Sequence, residues 1–143
     1  MEQKVVSDDV SAPFNWKEHI DDNKKPVIGI VAQPLEDTEK NLPEFAPYKS
    51  YIMVAYVDYM KAQGARVIPI INGEDKEVTL DKIHHIDGVF LPGGGADYFD
   101  IGKTALDEVL KINDGGQFYP LWGTCQGYEY LTAYTADMGM KAL

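Results

Sequence analysis

The chain has 143 residues, of which 45% are apolar and 25% are charged, and its formal net charge is −10. This length and composition predict one soluble globular domain with its own core, while the negative charge disfavours nucleic acid and anionic membrane surfaces as partners. A single cysteine excludes an internal disulfide, and no cysteine–histidine cluster has the spacing of metal ligands, so we predict no metal site.

The first 25 residues are polar and acidic, without sustained periodicity. We predict an extended tail over residues 1–25 and a folded domain over residues 26–143. The opening stretch MEQKVVSDDVS lacks the apolar core of a secretory signal, and no apolar run reaches the roughly 18 residues of a membrane span. These features predict a cytosolic or already processed protein without membrane insertion.

Short apolar runs alternate with helical patterns along the rest of the chain. The apolar runs predict buried strands; they cover residues 26–34, 65–71, 87–91 and 118–122. The helical patterns cover residues 50–64, 78–83 and 104–112 and begin again at residue 128, and a long loop is predicted over residues 36–48. This alternation predicts an α/β fold, a three-layer αβα sandwich around a parallel sheet.

The cysteine of the chain lies in FYPLWGTCQGYEYL, residues 118–131, where the fourth predicted strand turns into a helix. Its spacing, Gly-x-Cys-x-Gly, is that of a nucleophile elbow, in which side chains two residues from the nucleophile would collide. Backbone N–H groups at the start of the helix would favour the thiolate form of Cys125. A lone cysteine is more often a small buried hydrophobe, but the flanking glycines favour a nucleophile.

A second motif, LPGGGADYF at residues 91–99, directly follows the third predicted strand. If consecutive strands are neighbours, the carboxyl ends of strands three and four are adjacent. The backbone amides of Gly94 or Gly95 and of Gln126 can then converge on one point and form an oxyanion hole. A simple turn is the alternative for the three glycines.

Four segments in this order resemble the N-terminal half of γ-glutamyl hydrolases, which belong to the class I glutamine amidotransferase-like superfamily. They are PVIGIVAQP, YKSYIMVAYVDYMKAQGARVIPI, IDGVFLPGGGADYF and YPLWGTCQGYEYL. The resemblance covers residues 26 to about 134. The residues Trp122-Gly123-Thr124 before the cysteine and Tyr128-Glu129 after it resemble the hydrolases. Glutamine amidotransferases usually carry a glutamine at the position of Glu129. Gln126 differs from the leucine expected there, but this position contributes its backbone amide.

The resemblance implies a flavodoxin-like parallel sheet, present only in part, and a cysteine peptidase that needs no metal or organic cofactor. Such a peptidase cleaves γ-glutamyl bonds, notably in folate poly-γ-glutamates. Cys125 would attack the γ-carbonyl and form a thioester, while Gly94, Gly95 and Gln126 would hold the oxyanion.

Two further residues are candidates for substrate binding. By the resemblance, Glu129 would lie near the glutamyl group of the substrate. Tyr51 is a second candidate, although an ordinary core or surface aromatic is the alternative for this residue. The resemblance also implies a lysosomal, vacuolar or secreted setting, which the sequence does not decide.

Hydrolysis further requires a histidine that protonates the leaving amine and deprotonates water. His84 and His85 precede the third predicted strand whereas the glycines follow it, so some 17–20 Å of strand separates them, and His19 lies in the predicted tail. In the family, the histidine and its acidic partner lie downstream of the cysteine, so the resemblance implies that both are missing here. Two hypotheses stay open: a γ-glutamyl hydrolase completed by other segments or subunits, or a catalytically inactive structural subunit of a larger assembly.

Overall fold

A computed structural model describes residues 15–20 and 25–136 of the chain. Its centre is a four-stranded parallel sheet. The strands are β1 (Val27–Val31), β4 (Arg66–Ile70), β5 (Gly88–Leu91) and β6 (Leu121–Gly123), in the spatial order β4-β1-β5-β6. A short antiparallel ribbon, formed by β2 (Gln33–Pro34) and β3 (Ser50–Tyr51), follows the carboxyl end of β1.

Helices alternate with these strands as the sequence pattern predicts. They are α1 (Asp37–Lys40), α2 (Val54–Ala62), α3 (Lys76–His84), α4 (Phe99–Asp114) and α5 (Gln126–Thr135). Right-handed crossovers place α2 on one face of the sheet and α3 and α4 on the other, where α3 packs along α4. The predicted α/β class with a flavodoxin-like parallel sheet is therefore confirmed. None of the described helices has the length and apolar character needed to cross a bilayer.

The two central strands, β1 and β5, form the middle of the core. Nearly all their residues are buried, and Val31 and Leu91 have no exposed surface. Continuous apolar runs of this kind suit a parallel sheet that is covered on both faces. The outer strands β4 and β6 include partly exposed residues. The loops that follow β5 and β6 therefore rest on a well-packed scaffold.

Three predicted boundaries differ from the structure near the ribbon. The first predicted strand is split, because the chain leaves the sheet after Val31 and β2 pairs with β3 instead. For the same reason the predicted helix 50–64 begins only at Val54. The predicted loop 36–48 contains α1, whose start is stabilised by a capping box between Glu36 and Glu39.

The predicted extended tail also differs where it is described. Trp16–His19 form a 3-10 turn, and the Trp16 side chain is only 8% exposed and belongs to the hydrophobic core. Burying an indole removes a large apolar area from water, which explains why this stretch contacts β4. Residues 1–14 and 21–24 of the predicted tail lie outside the described residues, as do residues 137–143 of the predicted domain.

Candidate functional site

The backbone at Cys125 has the strain expected of an elbow. Cys125 has φ +52° and ψ −117° and immediately precedes α5, and it is the one non-glycine residue with positive φ in the described part of the chain. Such a conformation costs of order 1–3 kcal/mol and concentrates at active sites. The Cys125 side chain is exposed, so its thiol is open to solvent and to a ligand.

Both glycines around Cys125 are required by close backbone contacts. A Cβ atom on Gly123 would lie 2.6 Å from the carbonyl group of Gly127, and one on Gly127 would collide with the carbonyl oxygen of Leu91. The backbones of three segments are therefore in direct contact with one another, namely the end of β6, the first turn of α5 and the end of β5. The sequence spacing predicts this collision between elbow neighbours.

The glycine loop, residues 93–96, lies directly beside the elbow. Because β5 and β6 pair with Leu91 opposite Gly123, both chains leave the sheet at the same point. A Cβ atom on Gly93 would lie 2.8 Å from Cβ of Cys125. The Gly93 N–H is already occupied, since it donates a hydrogen bond to the Tyr56 hydroxyl at 3.0 Å.

The backbone amides predicted to hold the oxyanion remain available at this junction. Among the described residues, the N–H groups of Gly94, Gly95 and Gln126 have no hydrogen-bond acceptor. For Gln126 this follows from its place in the first turn of α5, where N–H groups lack an intrahelical partner. Unpaired amides beside an exposed thiol can stabilise a negatively charged oxygen on a substrate carbonyl.

The two candidate glycines of the loop have different surroundings. The Cα of Gly94 lies against the side-chain amide of Gln33, so a Cβ atom there would collide with it, whereas a Cβ atom on Gly95 would lie 3.3 Å from Oε1 of Glu36. Gln33 is 2% exposed, while Glu36 is an exposed side chain at the start of α1. Only at Gly94 is a side chain excluded by a buried neighbour.

Gln126 contributes more than its backbone amide. Its side chain is 8% exposed and donates from Nε2 to the carbonyl oxygen of Ala96 at 3.1 Å and to the Tyr130 hydroxyl at 2.9 Å. Its Oε1 accepts a hydrogen bond of 3.2 Å from Gln33. Gln126 therefore connects α5 to both the glycine loop and β2.

The two predicted substrate-binding residues lie on different elements. Glu129 is exposed in the first turn of α5, and its N–H donates to the carbonyl oxygen of Cys125 at 3.0 Å. Tyr51 is opposite Gln33 in the β2–β3 ribbon, so the two side chains share one face of the ribbon. Burial, together with the nearby carboxylates Glu39 and Glu36, raises the pKa of Tyr51, which keeps its hydroxyl protonated.

Sequence reasoning missed three residues at this junction, which are Gln33, Tyr56 and Gly93. Gln33 offered a signal, since it is a polar residue at the carboxyl end of an apolar strand, the edge where α/β proteins bind ligands. Tyr56 gave no such signal because its position fits the apolar face of α2. Gly93 is one of three consecutive glycines, and the sequence does not indicate which of them contacts the cysteine.

The described histidine side chains lie at the other edge of the sheet. His84 ends α3 and contacts Glu108 at 2.9 Å, and His85 contacts Asp81. Both precede the amino end of β5, whereas Cys125 follows the carboxyl end of β6. A hydrogen bond from Lys111, supported by His84, lowers the pKa of Glu108, against the opposing effect of burial.

An open cleft of about 500 Å³ adjoins the glycine loop. It lies between residues 34–40 and residues 95–97, and its charged lining consists of Glu36, Asp37, Asp97 and Lys40. The cleft is therefore acidic on balance. Within residues 15–20 and 25–136, no three histidine, cysteine or carboxylate side chains come together as a metal site.

Comparisons with known proteins find one matching family model and several similar curated proteins. The family model described as Peptidase C26 matches residues 26–102, which include the glycine loop and end before Cys125. Gamma-glutamyl hydrolase 1 of Arabidopsis thaliana is 38% identical over 113 residues, which are 77% of this chain and 32% of that protein. Gamma-glutamyl hydrolase B of Dictyostelium discoideum is 37% identical over 80% of this chain and 34% of its own length. Gamma-glutamyl hydrolase of Homo sapiens is 34% identical over 80% of this chain and 36% of its own length.

The chain thus spans about a third of the length of these curated relatives, rather than the half that the sequence resemblance suggested. The matched family model covers more than half of the chain, from β1 to the start of α4. The resemblance to γ-glutamyl hydrolases is confirmed, and the chain belongs to the Peptidase C26 family of cysteine peptidases.

Proposed function

We propose that this chain provides the nucleophile and the oxyanion donors of a γ-glutamyl hydrolase that acts on γ-glutamyl bonds, as in folate poly-γ-glutamates. One observation carries the proposal: an exposed cysteine with positive φ begins a helix between two glycines that cannot bear side chains. Strained backbone at a strand-to-helix turn is the usual support of an acyl-transfer nucleophile.

In the proposed first step, the Cys125 thiolate attacks the γ-carbonyl carbon of the substrate. A C–S bond forms, and the π electrons of the carbonyl move to its oxygen. The amides of Gly94 and Gln126, with Gly95 as a further donor, would hydrogen-bond this oxyanion. When the carbonyl reforms, the C–N bond breaks and the leaving amine takes a proton. A γ-glutamyl thioester then remains on Cys125 until water hydrolyses it.

Both proton transfers need a histidine, which we propose lies outside this chain together with its acidic partner. His84 and His85 are engaged at the opposite edge of the sheet. The relatives are about three times as long as the matched region, so the additional length gives room for these residues. Further segments of the same protein or a separate subunit would then complete the site.

A second candidate function is a structural subunit that associates with other proteins and performs no catalysis. The outer edge of β6 has no strand partner in the described part of the chain. Large aromatic side chains are exposed near it, with Phe118 88%, Trp122 68% and Tyr128 66% accessible. Unpaired strand edges and exposed apolar surface favour association. The structural function requires a polypeptide partner, whereas only the first function predicts acylation of Cys125.

Hydrogen bonds, rather than attraction between charges, would recognise the glutamyl group of the proposed substrate. In a folate polyglutamate the α-nitrogen of this group is acylated and its α-carboxylate is free, so the Glu129 carboxylate can accept a hydrogen bond from the α-amide N–H and the Tyr51 hydroxyl can donate one to the α-carboxylate. The net charge of −10 does not favour the polyanionic part of a folate polyglutamate. We therefore propose that Glu129 and Tyr51 bind the glutamyl group itself.

Acylation by activated esters tests the proposal on this chain, because a good leaving group needs no protonation. N-acetylglutamate γ-p-nitrophenyl ester, whose α-nitrogen is acylated as in a folate polyglutamate, should acylate Cys125 at least about 10-fold faster than the α-p-nitrophenyl ester, a difference expected of a site that recognises the substrate by hydrogen bonds. Release of p-nitrophenolate measures both rates. Equal rates for the two esters, or rates that persist in Cys125→Ala, would contradict the proposal.

The two glycines of the loop should differ in their sensitivity to substitution. Gly94→Ala should lower the acylation rate by about 100-fold, because the new methyl group displaces the Gln33 amide and moves an oxyanion donor. Gly95→Ala is the matched control, and we expect a change of only about threefold or less, since no buried group opposes its methyl. Comparable losses in the two variants would show that Gly94 has no special role.

A further inference from the structure

We infer that Gln33 and Gln126 are positioning residues, whose coupled side-chain amides fix the Gly94 N–H relative to the start of α5. The inference rests on the proposed function, because it concerns the geometry of the same oxyanion hole. We call these two side chains the amide pair. Neither touches the reacting atoms in our account; both act through the glycine loop.

The hydrogen bonds of the amide pair form a continuous chain across the junction. Gln33 donates from Nε2 to the carbonyl oxygen of Gly93 at 3.0 Å and to Oε1 of Gln126 at 3.2 Å. Gln126 donates to Ala96 and Tyr130. All four side-chain N–H groups of the pair are thereby used, and both ends of the glycine loop are held.

These contacts also determine how the Gln33 amide is oriented. If its oxygen and nitrogen were exchanged, the oxygen would face the carbonyl oxygen of Gly93 and Oε1 of Gln126, which are both acceptors. Only the observed orientation gives hydrogen bonds at both positions. The contact with Gln126 thus forces Gln33 to present a donor to the glycine loop.

Holding the Gly93 carbonyl sets the direction of the next amide. No peptide bond in the described residues is cis, and in a trans peptide the carbonyl and the following N–H point in opposite directions. Because the Gly93 carbonyl faces Gln33, the Gly94 N–H faces away from Gln33. The Gly93 N–H is occupied by Tyr56, so Gly94 is the first amide of the loop that is free to bind an oxyanion.

Stability alone does not explain the amide pair. Oε1 of Gln33 is buried and has no hydrogen-bond partner among the described residues, and a buried polar atom without a partner lowers stability. Two apolar side chains of similar size would avoid this loss, but they would leave the carbonyl oxygens of Gly93 and Ala96 without the donors that hold them. Positioning of the loop accounts for the pair, because apolar side chains cannot fix the direction of a peptide group.

The test compares two reactions of the same thiol. p-Nitrophenyl acetate acylates Cys125 through a tetrahedral oxyanion, whereas iodoacetamide alkylates it by displacement at carbon and forms no oxyanion. Gln33→Met and Gln126→Met keep the side-chain length and remove the hydrogen bonds. Each should lower the Cys125-dependent acylation rate by about 10-fold, as expected for a small misplacement of a catalytic group, and leave the alkylation rate within about twofold. The double variant should be no worse than the poorer single variant, since the two residues act as one unit.

Thr79→Val is the matched control, because Thr79 is a buried residue of α3, away from the elbow, and the change removes its part-buried hydrogen bond to Glu74. It should leave both rates unchanged.

If the amide-pair variants lose acylation and alkylation together, or lose neither, the positioning role is overturned while the proposed function stands. A parent chain that p-nitrophenyl acetate fails to acylate at Cys125 overturns the proposed function as well. Should Gln33→Met fail to fold, Gln126→Met alone decides the question by the same ratio of rates.

Discussion

Gly127→Ala is expected to lower the free energy of unfolding by about 3 kcal/mol or more, and to abolish acylation of Cys125. A methyl group at this position would collide with the carbonyl oxygen of Leu91. That oxygen belongs to the central strand β5 and already accepts a hydrogen bond of 3.1 Å from the Thr124 N–H, so it cannot move without breaking the join between β5 and the elbow. Relief of the collision must instead displace α5, and with it the nucleophile.

Gly115→Ala is the matched control for this prediction. Gly115 ends α4 with an ordinary helical φ of −72°, and a Cβ atom there would lie 3.2 Å from the carbonyl oxygen of Ile112. We expect a change of less than about 1 kcal/mol, because the backbone suits alanine. Denaturant unfolding of the two variants measures the difference. Similar midpoints for both would mean that the elbow tolerates a side chain at Gly127.

The second large effect concerns turnover. Mixed with N-acetylglutamate γ-p-nitrophenyl ester, the chain should release about one equivalent of p-nitrophenolate and then nearly stop, because hydrolysis of the thioester needs a base. Positioned general acid–base catalysis is typically worth about 10²–10⁴-fold, and the described histidines, His84 and His85, lie at the wrong edge of the sheet. On a folate polyglutamate, whose leaving amine also needs a proton, turnover should be undetectable.

Added imidazole provides a control for this explanation, because a diffusible base can replace the absent histidine. It should accelerate loss of the glutamyl group from the acylated parent chain, followed by mass spectrometry after the excess ester has been removed, because imidazole itself hydrolyses p-nitrophenyl esters. Cys125→Ala carries no thioester and should show no such loss. Steady turnover without imidazole would show that the chain supplies its own base. In that case His19→Ala would identify the source, since His19 is the remaining histidine of the sequence.

Much of the fold follows from local patterns. The runs that became β1 and β5 are apolar throughout, as a doubly covered parallel strand requires, and the alternation with helices fixed the class. The elbow was predictable because the nucleophile and its two glycines lie within five consecutive residues. The candidate oxyanion donors were predictable on the assumption that strands consecutive in the sequence are adjacent in the sheet. The strands concerned, β5 and β6, are indeed paired.

Contacts between distant segments could not be predicted in this way. Gln33 belongs to a ribbon that pairs with β3, and it contacts Gln126, which is 93 positions away in the sequence. The sequence around Gln33 indicates only a polar residue in a strand pattern. It does not indicate which residue the Gln33 side chain contacts. Trp16 is a similar case, since two aromatic residues in a polar stretch give no sustained periodicity, yet Trp16 is buried in the core. Both features depend on packing that a local pattern does not record.

The central claim is that Cys125 accepts the γ-glutamyl group. Peptide mapping by mass spectrometry, after the chain has reacted with N-acetylglutamate γ-p-nitrophenyl ester, tests this claim most directly. We predict a single γ-glutamyl adduct on the peptide that contains Cys125, formed in the parent chain and strongly reduced in Gly94→Ala. An adduct spread over lysine or tyrosine side chains, with Cys125 unmodified, would contradict the account.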